Sequence, residues 1–331
     1  MRETLLNIVA CPYCQSSLDV SIRLKNKFGI EEGSLFCSKC SRSYPIKNGI
    51  PRFVSENMGS TQERFSFEWM RYPGSLPEDE EIFLDETQLD PSAWKDRWVL
   101  DAGCGMGRYA RVAHSLGANV VALDLGGALI RLKDLANDSG RLHLVQGDLL
   151  HLPLKKESFD IIYSVGVIHH TPSPRNCVKE LTQRLKPSGK LTLWVYGTAG
   201  SYRSFKTNPL KSNRQILKKF MFLVWSMVSV REFFSDTLRL FTVYLPHRLL
   251  YIFCYPLAAL GKIPILKYLT FSVHPLWRVR LQENFDWLAP PYQSHHTKEE
   301  IKLWFEKNGL KVTKFLPHGF VPKVGLLGEK R

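Results

Sequence analysis

The sequence predicts an α/β protein in which a doubly wound parallel sheet follows a small cysteine-bearing unit. A buried strand at residues 99–101 runs directly into the glycine loop Gly103-Cys104-Gly105-Met106-Gly107 and then into a helix. Two C-x-x-C pairs lie earlier, at residues 11–14 and 37–40. The 331 residues, 44% of them hydrophobic and 23% charged, suffice for two domains and an insertion.

The two C-x-x-C pairs predict a zinc ribbon over residues 1–54. Cys11 and Cys14 are separated from Cys37 and Cys40 by 22 residues, an interval close to that of zinc ribbons. Four thiolates can close a tetrahedral shell around one Zn²⁺, which then serves folding and contact instead of catalysis. Two disulfides are the alternative, but nothing else in the sequence indicates an oxidising compartment.

Residues 55–94 are predicted to link the ribbon to the sheet. Residues 60–71 contain two phenylalanines and a tryptophan and predict a short aromatic-rich helix. An acidic stretch, residues 77–81, is expected to begin a solvated helix, because carboxylates are favoured near a helix N-terminus.

The glycine loop predicts a ligand site. Gly103, Gly105 and Gly107 let the backbone pass close to a ligand, and the following helix directs its first amides towards it. Their spacing is tighter than the G-x-G-x-x-G of nicotinamide dinucleotide sites. A second strand, residues 119–124, ends at Asp124, whose carboxylate can accept hydrogen bonds from two ribose hydroxyls.

Three more strands follow, and polar residues stand after two of them. The third and fourth strands are residues 142–146 and 159–164, and the fifth is residues 190–197. Because the carboxyl ends of parallel strands share one edge of the sheet, the residues after them are expected to lie on one crevice. The polar residues there include Asp148 after the third strand, and His169 and His170 after the fourth.

These pieces resemble the class I S-adenosylmethionine-dependent methyltransferases, especially the branch that includes quinone-biosynthesis methyltransferases. The segments are LDAGCGMG at 100–107, GDL at 147–149, FDIIYS at 159–164 and LKPSGKL at 185–191. They occur in the family's order and at its usual intervals. The resemblance covers residues 95–200 closely and the C-terminal end loosely. It implies a methyltransferase with a Rossmann-like sheet of seven strands whose last strand is antiparallel.

The resemblance also implies which residues hold the cofactor. The methionine end would bind the glycine loop, the ribose and adenine would bind the second and third strand ends, and the transferable methyl would lie at the fourth. The helix at residues 60–71 would either pack over the cofactor or only dock the linker on the core. The implied cofactor residues are Asp101, Gly103, Gly105, Gly107, Asp124, Leu125, Asp148, Leu149, Ser164 and Val165.

Residues 1–54 resemble the short zinc-ribbon proteins that serve as activator partners of methyltransferases. The matching segments are residues 6–14 and 44–51. Here the module is predicted to be fused to its enzyme, whose core is formed by residues 95–200 and 282–331. The cysteines leave no room for a signal peptide, so a cytoplasmic protein is expected.

Residues 201–281 are predicted to form a basic, apolar helical insertion. They hold 13 lysines and arginines against two acidic residues, so nearly all of the net charge of +14 falls there. Two apolar runs, residues 220–228 and 249–257, predict helices, which Pro246, Pro256 and Pro264 would keep short. They could form a lid, a lid that also contacts a membrane peripherally, or a nucleic-acid surface.

The last 50 residues are expected to complete the sheet. Thr297 and Glu300 form a capping box before a helix that ends at Asn308 and Gly309. Two strands are predicted after it, at residues 310–316 and 321–327.

The acceptor is the open question. A general base is needed only for a hydroxyl or a protonated amine, and the candidates are His169, His170, His295 and His296, with Asp286 as a further one. Structural roles for these side chains are the alternative. The favoured acceptor is a small molecule, a glycan intermediate or a lipid-linked molecule; RNA is the second choice, and a non-catalytic activator subunit is the third. The sequence does not predict the oligomeric state.

Overall fold

The computed structural model describes residues 1–54, 59–198, 230–231, 233–263, 266–272, 274–316 and 323–331. Two sheets organise them, one of four strands and one of seven. The predicted helix at residues 220–228 lies outside the described residues. No described helix is both long enough and apolar enough to cross a membrane.

The smaller sheet belongs to the cysteine-bearing unit. Its strands pair in chain order and antiparallel, and they carry Ile30, Leu35 and Ile46 into a buried face. Strand β1 is exposed along nearly all of its length, and the buried side chains come from β2, β3 and β4. The strands are β1 (Asp19–Asn26), β2 (Gly29–Cys37), β3 (Arg42–Lys47) and β4 (Ile50–Pro51).

The larger sheet has seven strands, as predicted. These strands are β5 (Trp98–Ala102), β6 (Asn119–Asp124), β7 (Leu142–Gln146), β8 (Phe159–Val165), β9 (Leu185–Tyr196), β10 (Leu310–Phe315) and β11 (Lys323–Lys330). Their order is β10-β11-β9-β8-β5-β6-β7. Strands β5 to β9 are parallel, and β11 runs antiparallel to both of its neighbours. The doubly wound fold with a reversed last strand is therefore confirmed.

Helices cover both faces of this sheet. They are α1 (Gly59–Trp69), α2 (Asp79–Thr87), α3 (Arg108–Ser115), α4 (Lys133–Asp138), α5 (Pro174–Arg184), α6 (233–242), α7 (His247–Leu260), α8 (Trp277–Leu288) and α9 (Lys298–Lys307). The predicted cap of α9 is present, because the Glu300 backbone N–H donates to the Thr297 hydroxyl at 3.1 Å.

Helix α7 departs from the expected division at prolines. It begins directly after Pro246, as predicted, but it continues through Pro256. Proline removes the bond to the carbonyl of Ile252, four residues earlier. Ile252 and Pro256 are both exposed, so water can satisfy that carbonyl without ending the helix. Pro264 lies outside the described residues.

The acidic stretch at residues 77–81 is less solvated than expected. Asp79 is buried; one of its carboxylate oxygens accepts from the Leu76 amide at 2.8 Å, and the other forms an ion pair with Arg108. Phe83, one turn further along α2, packs against Trp94 in the core. The linker is therefore part of the folded core because α2 buries apolar and paired polar groups on the same face.

The cysteine-bearing unit docks on the open edge of the larger sheet. Arg52 forms a parallel bridge with Gln146 of β7, and the Phe53 amide donates to the Gln146 carbonyl at 2.8 Å. Val9 pairs with Leu154 in an antiparallel bridge. The two parts also share one apolar core. This docking satisfies the backbone of an edge strand that would otherwise be exposed.

Candidate cofactor and acceptor site

The glycine loop after β5 has a backbone that only glycine adopts without strain. Gly103 and Gly107 have φ values of +94° and +85°. A Cβ atom on Gly103 would lie 2.3 Å from a methyl carbon of Val167, and one on Gly107 would lie 2.2 Å from a methyl carbon of Leu132. The loop is therefore held closely between the end of β8 and the segment after β6.

Asp124, at the end of β6, fixes this loop. Its Oδ2 accepts from the Gly105 amide at 2.8 Å, and its Oδ1 accepts from the Gly126 amide at 2.6 Å. Burial raises the pKa of Asp124, and the two amides oppose that shift. The carboxylate remains half-buried, so it can organise the loop and still face a ligand.

Asp101, at the end of β5, has an unsatisfied carboxylate oxygen. The side chain is buried, and its Oδ2 has no hydrogen-bond partner within the described part of the chain. Burial, with Asp124 nearby, raises the pKa of Asp101 to about 8. Buried polar atoms are rarely left unpaired, so a ligand ammonium group beside the loop fits this carboxyl. The methionine end of S-adenosylmethionine carries such a group.

Helix α1 lies over the glycine loop. A Cβ atom on Gly105 would be 2.8 Å from the Trp69 ring. The Gly127 amide donates to the Ser66 hydroxyl at 2.9 Å, and Arg131 donates to the Trp69 carbonyl at 2.9 Å. The aromatic helix thus docks on the core and covers the glycine loop, whereas its packing over a bound cofactor stays a prediction.

Arg64 joins α1 to the C-terminal half of the chain. It is buried, and its guanidinium donates to the carbonyls of Thr242, Val243, Leu245 and Ala289. Sequence reasoning missed this clamp, because an arginine in an amphipathic helix usually faces solvent.

The side chains of two predicted cofactor-binding residues form hydrogen bonds within the protein. The Ser164 hydroxyl is buried and donates to the Ala102 carbonyl at 2.8 Å. Asp148 accepts from the Leu150 amide at 2.9 Å, which closes the turn after β7. Leu125 is held through its carbonyl, which accepts from Gln146 at 3.0 Å. Roles for these residues towards S-adenosylmethionine stay predictions.

The four candidate histidines converge on Tyr196, at the carboxyl end of β9. The ring centroid of Tyr196 lies 3.9 Å from that of His169, 5.5 Å from that of His170 and 5.9 Å from that of His295. The His296 amide donates to the Tyr196 carbonyl at 2.9 Å. The sequence named these residues as separate candidates, and the fold brings them together.

Burial makes His169 and His170 poor bases. His169 is fully buried, and within the described residues neither ring nitrogen has a partner. Burial lowers the pKa of His170 to about 3 and holds that of His169 well below its usual range. His295 contacts the Gly197 carbonyl at 3.1 Å, and His296 lies between Ser294 and Glu300. A catalytic role for any of them stays a prediction.

Asp286 and Glu68 provide carboxyl groups near Tyr196. The Tyr196 hydroxyl donates to Asp286 Oδ2 at 3.3 Å, and burial raises the pKa of Asp286 to about 7. Glu68 is buried on α1. The sequence indicates Asp286 only as a further candidate base, and it does not indicate Glu68. Nothing in the sequence around a single glutamate in an aromatic helix indicates that the fold will bury it.

The four cysteines form one cluster. Their sulfur atoms all lie within 4.8 Å of one another, and no disulfide joins them. The Tyr44 hydroxyl lies 3.3 Å from Cys11 Sγ, where it can donate a hydrogen bond to a thiolate. A tetrahedral zinc shell with Zn–S bonds of about 2.3 Å needs sulfur atoms about 3.8 Å apart. The donor set therefore fits one Zn²⁺ ion.

Two protein families match this chain. Residues 100–193 match the model of the methyltransferase domain, and residues 2–49 match that of Trm112p-like proteins. The first range contains the glycine loop and strands β6 to β8, and the second contains all four clustered cysteines.

Three relatives carry methyltransferase names, and two of these names specify different acceptors. An uncharacterised chloroplastic methyltransferase of Arabidopsis thaliana is 27% identical over 64% of this chain and 68% of its own length. The probable tRNA methyltransferase 9B of Homo sapiens is 29% identical over 42% of this chain and 28% of its length. A sterol 24-C-methyltransferase of Gibberella zeae is 36% identical over 28% of this chain and 25% of its length. This chain therefore spans about a quarter of the last two proteins.

Proposed function

Because the chain is a class I S-adenosylmethionine-dependent methyltransferase with a Trm112p-like domain before its catalytic core, we propose that it methylates a lipid-linked or other apolar small molecule at a membrane surface. One observation carries this proposal. The helices that follow the core expose large apolar side chains, in a region that meets the carboxyl end of β9.

Helix α7 exposes apolar residues on the side that should be polar. It buries a stripe formed by Leu250, Cys254 and Ala258. Opposite this stripe, Ile252 and Phe253 are 61% and 56% exposed. A helix at the surface of a globular protein normally carries charged or polar residues there. An apolar phase outside the protein would account for this face.

The apolar surface extends over neighbouring elements. Helix α6 exposes Phe233, Phe234 and Phe241. We define the outer apolar surface as the exposed large hydrophobic residues between 230 and 277. Patches of this kind on soluble proteins mark sites of interaction with membranes or other proteins. The residues of the outer apolar surface are Val230, Phe233, Phe234, Leu238, Leu240, Phe241, Tyr244, Leu249, Ile252, Phe253, Tyr255, Leu260, Ile263, Leu266, Leu269, Leu276 and Trp277.

The charge around this surface favours anionic lipid as the occupant. Arg248, Lys262 and Arg278 are exposed on the same elements, whereas Asp236 is the acidic residue described between 230 and 277. Basic residues that flank an apolar face add electrostatic attraction to anionic headgroups. The basic residues and the outer apolar surface together favour contact with a membrane surface over contact with a nucleic acid, because nucleic-acid binding needs no apolar face.

The site residues would position the reaction and exclude water. Bound S-adenosylmethionine supplies an electrophilic methyl group on a sulfonium. Asp124 and the glycine loop would hold its ribose and methionine ends, Trp69 would cover it, and Tyr196 would face the acceptor. Alignment of this kind can supply most of the acceleration of an in-line displacement. The outer apolar surface would deliver an apolar acceptor to the same end of the sheet.

RNA is a second candidate acceptor. The Trm112p-like domain, the relation to a probable tRNA methyltransferase and the net charge of +14 favour it. The third candidate from the sequence, a non-catalytic activator subunit, gains no separate support from the site.

Charged substitutions on the outer apolar surface are expected to abolish membrane binding. We predict that the protein floats with vesicles containing 30 mol% phosphatidylserine, and that the double variant Ile252→Asp, Phe253→Asp remains unbound. Moving two large apolar groups to water and adding two negative charges should weaken vesicle binding by on the order of 100-fold. Sucrose-gradient flotation measures the bound fraction.

A matched variant on another surface controls for the added charge. Leu303 on α9 and Phe315 on β10 are also exposed, so the double variant Leu303→Asp, Phe315→Asp should float as the unmodified protein does. Equal flotation of all three proteins, or no flotation of the unmodified one, would contradict membrane contact. Tight binding of RNA that falls steeply between low and moderate salt would favour the second candidate instead.

A further inference from the structure

Three carboxyl groups meet between the cofactor loop and the end of β9. Glu68 lies on α1, and Glu283 and Asp286 lie one turn apart on α8. The Gln282 side chain donates to the Glu68 carbonyl at 2.5 Å, which fixes α1 against α8. We call Glu68, Glu283 and Asp286 the carboxyl cluster.

The carboxyl cluster adjoins the cofactor site on one side and the acceptor side of the crevice on the other. Ser66 and Trp69, which flank Glu68 on α1, contact the segment after β6 and the glycine loop. At the other side, Asp286 accepts the hydrogen bond from Tyr196. The cluster therefore lies between the segments that would hold the cofactor and the residues that would face the acceptor.

Within the described part of the chain, no basic side chain forms an ion pair with the carboxyl cluster, although Arg108 and His274 act on Glu283 electrostatically. Glu68 is 2% exposed, and its Oε2 has no hydrogen-bond partner in the part of the chain that the structure describes. Burial and the neighbouring carboxyls raise the pKa of Glu68, and they raise that of Asp286 to about 7. Burial also raises the pKa of Glu283, which a hydrogen bond from Ser272 opposes. Because neighbouring buried carboxylates repel each other, the three groups resist simultaneous ionisation.

We propose that the carboxyl cluster holds protons in the free enzyme, loses one when the cationic methyl donor binds, and then accepts at Asp286 the proton of a hydroxyl acceptor. This inference rests on the methyltransferase function proposed above and extends it to a charge-sensing site. A positive sulfonium near the cluster stabilises the ionised carboxylate, whereas the neutral thioether of S-adenosylhomocysteine does not.

The transfer step then balances. A lone pair of the acceptor oxygen forms a bond to the methyl carbon, and the carbon–sulfur bond breaks with its electron pair left on sulfur. The hydroxyl proton passes to the Asp286 carboxylate, which Tyr196 holds in place. The S-adenosylhomocysteine product has lost the positive charge, so the carboxyl cluster again favours its protonated form. The attraction between the cluster and the bound product is therefore weaker.

Other ionisable groups face the cluster and would contribute to its titration. Asp124 raises the pKa of Glu68, whereas Arg108 and His274 oppose the rise at Glu283. The facing groups are Asp124 on β6, Tyr196 on β9, Tyr72 after α1, Arg108 on α3, Cys254 on α7 and His274 before α8.

Calorimetry with two ligands that differ by one charge tests the proposal. We expect S-adenosylmethionine to release protons from the zinc-loaded protein at pH 7, measured in buffers of different ionisation enthalpy, and S-adenosylhomocysteine to release essentially none. Glu68→Gln and Asp286→Asn, which mimic the protonated side chains, should each reduce the release. They should also lower the preference for S-adenosylmethionine over S-adenosylhomocysteine by about tenfold.

The controls separate this proposal from the rest of the account. Asp286→Glu keeps a carboxyl and should retain the proton release, and the exposed Glu299→Gln should behave as the unmodified protein. Equal proton release by both ligands, or release unchanged in Glu68→Gln and Asp286→Asn, would overturn the proposal for the carboxyl cluster. Either result would leave the assignment of the cofactor site standing. Because no acceptor or membrane is present, failure of the membrane proposal would leave this result unaffected. Absence of binding by either ligand would overturn both the cluster and the cofactor assignment.

Discussion

Replacing Cys37 with serine is expected to unfold the Trm112p-like domain and destabilise the whole protein. We propose that the four cysteines bind one structural Zn²⁺, and Cys37 is a fully buried member of that set. Structural zinc contributes its binding free energy to folding. We expect the free energy of unfolding to fall by on the order of 5 kcal/mol, comparable with the whole stability of many domains. Thermal unfolding and zinc analysis measure the two effects.

The effect should extend beyond the domain itself. Leu35 and Ile46 of the smaller sheet belong to the same apolar core as Leu154 and Val145. Loss of the domain would therefore also expose the edge strand β7. Cys254→Ser is the matched control, because Cys254 is equally buried but lies on α7. It should keep its zinc. A folded wild-type protein that contains no zinc would contradict the metal assignment.

Asp124→Ala is expected to weaken S-adenosylmethionine binding by roughly 100-fold, or about 3 kcal/mol. The carboxylate would accept hydrogen bonds from the ribose and already accepts them from the amides of Gly105 and Gly126, so its removal loses the ligand contacts and loosens the glycine loop. Each hydrogen bond to a charged group contributes about 1.5–3 kcal/mol. Calorimetric titration gives the dissociation constant directly.

A second aspartate controls for the loss of charge. Asp134 on α4 is exposed, and Asp134→Ala should bind S-adenosylmethionine as the unmodified protein does. Thermal unfolding without ligand shows whether Asp124→Ala remains folded. If a folded Asp124→Ala protein binds the cofactor with unchanged affinity, the role of Asp124 at the ribose is wrong.

Local signals predicted the core of the fold well. Strands β6 and β7 begin and end where the apolar runs do, because buried parallel strands need continuous apolar residues. The cap at Thr297 depends on residues three apart, which are visible in the sequence. The cysteine cluster follows from spacing in the same way.

The parts of the site that depend on contacts between residues distant in the sequence could not be predicted. Glu68 and Asp286 are 218 residues apart, and only the packing of α1 on α8 brings them near each other. His169 and His295 meet at Tyr196 because β8, β9 and the loop before α9 end at the same edge. Pro256 was expected to end a helix, but its tolerance depends on an exposed carbonyl that the sequence does not show.

The acceptor class is tested most directly by transfer of a labelled methyl group. The zinc-loaded protein is incubated with S-adenosyl-[methyl-³H]methionine and a total cell extract, which is then separated into lipid, glycan, small-molecule and RNA fractions. We predict that label enters the lipid or apolar small-molecule fraction, and that the folded Asp124→Ala protein transfers far less. Label confined to the RNA fraction would contradict the proposed function.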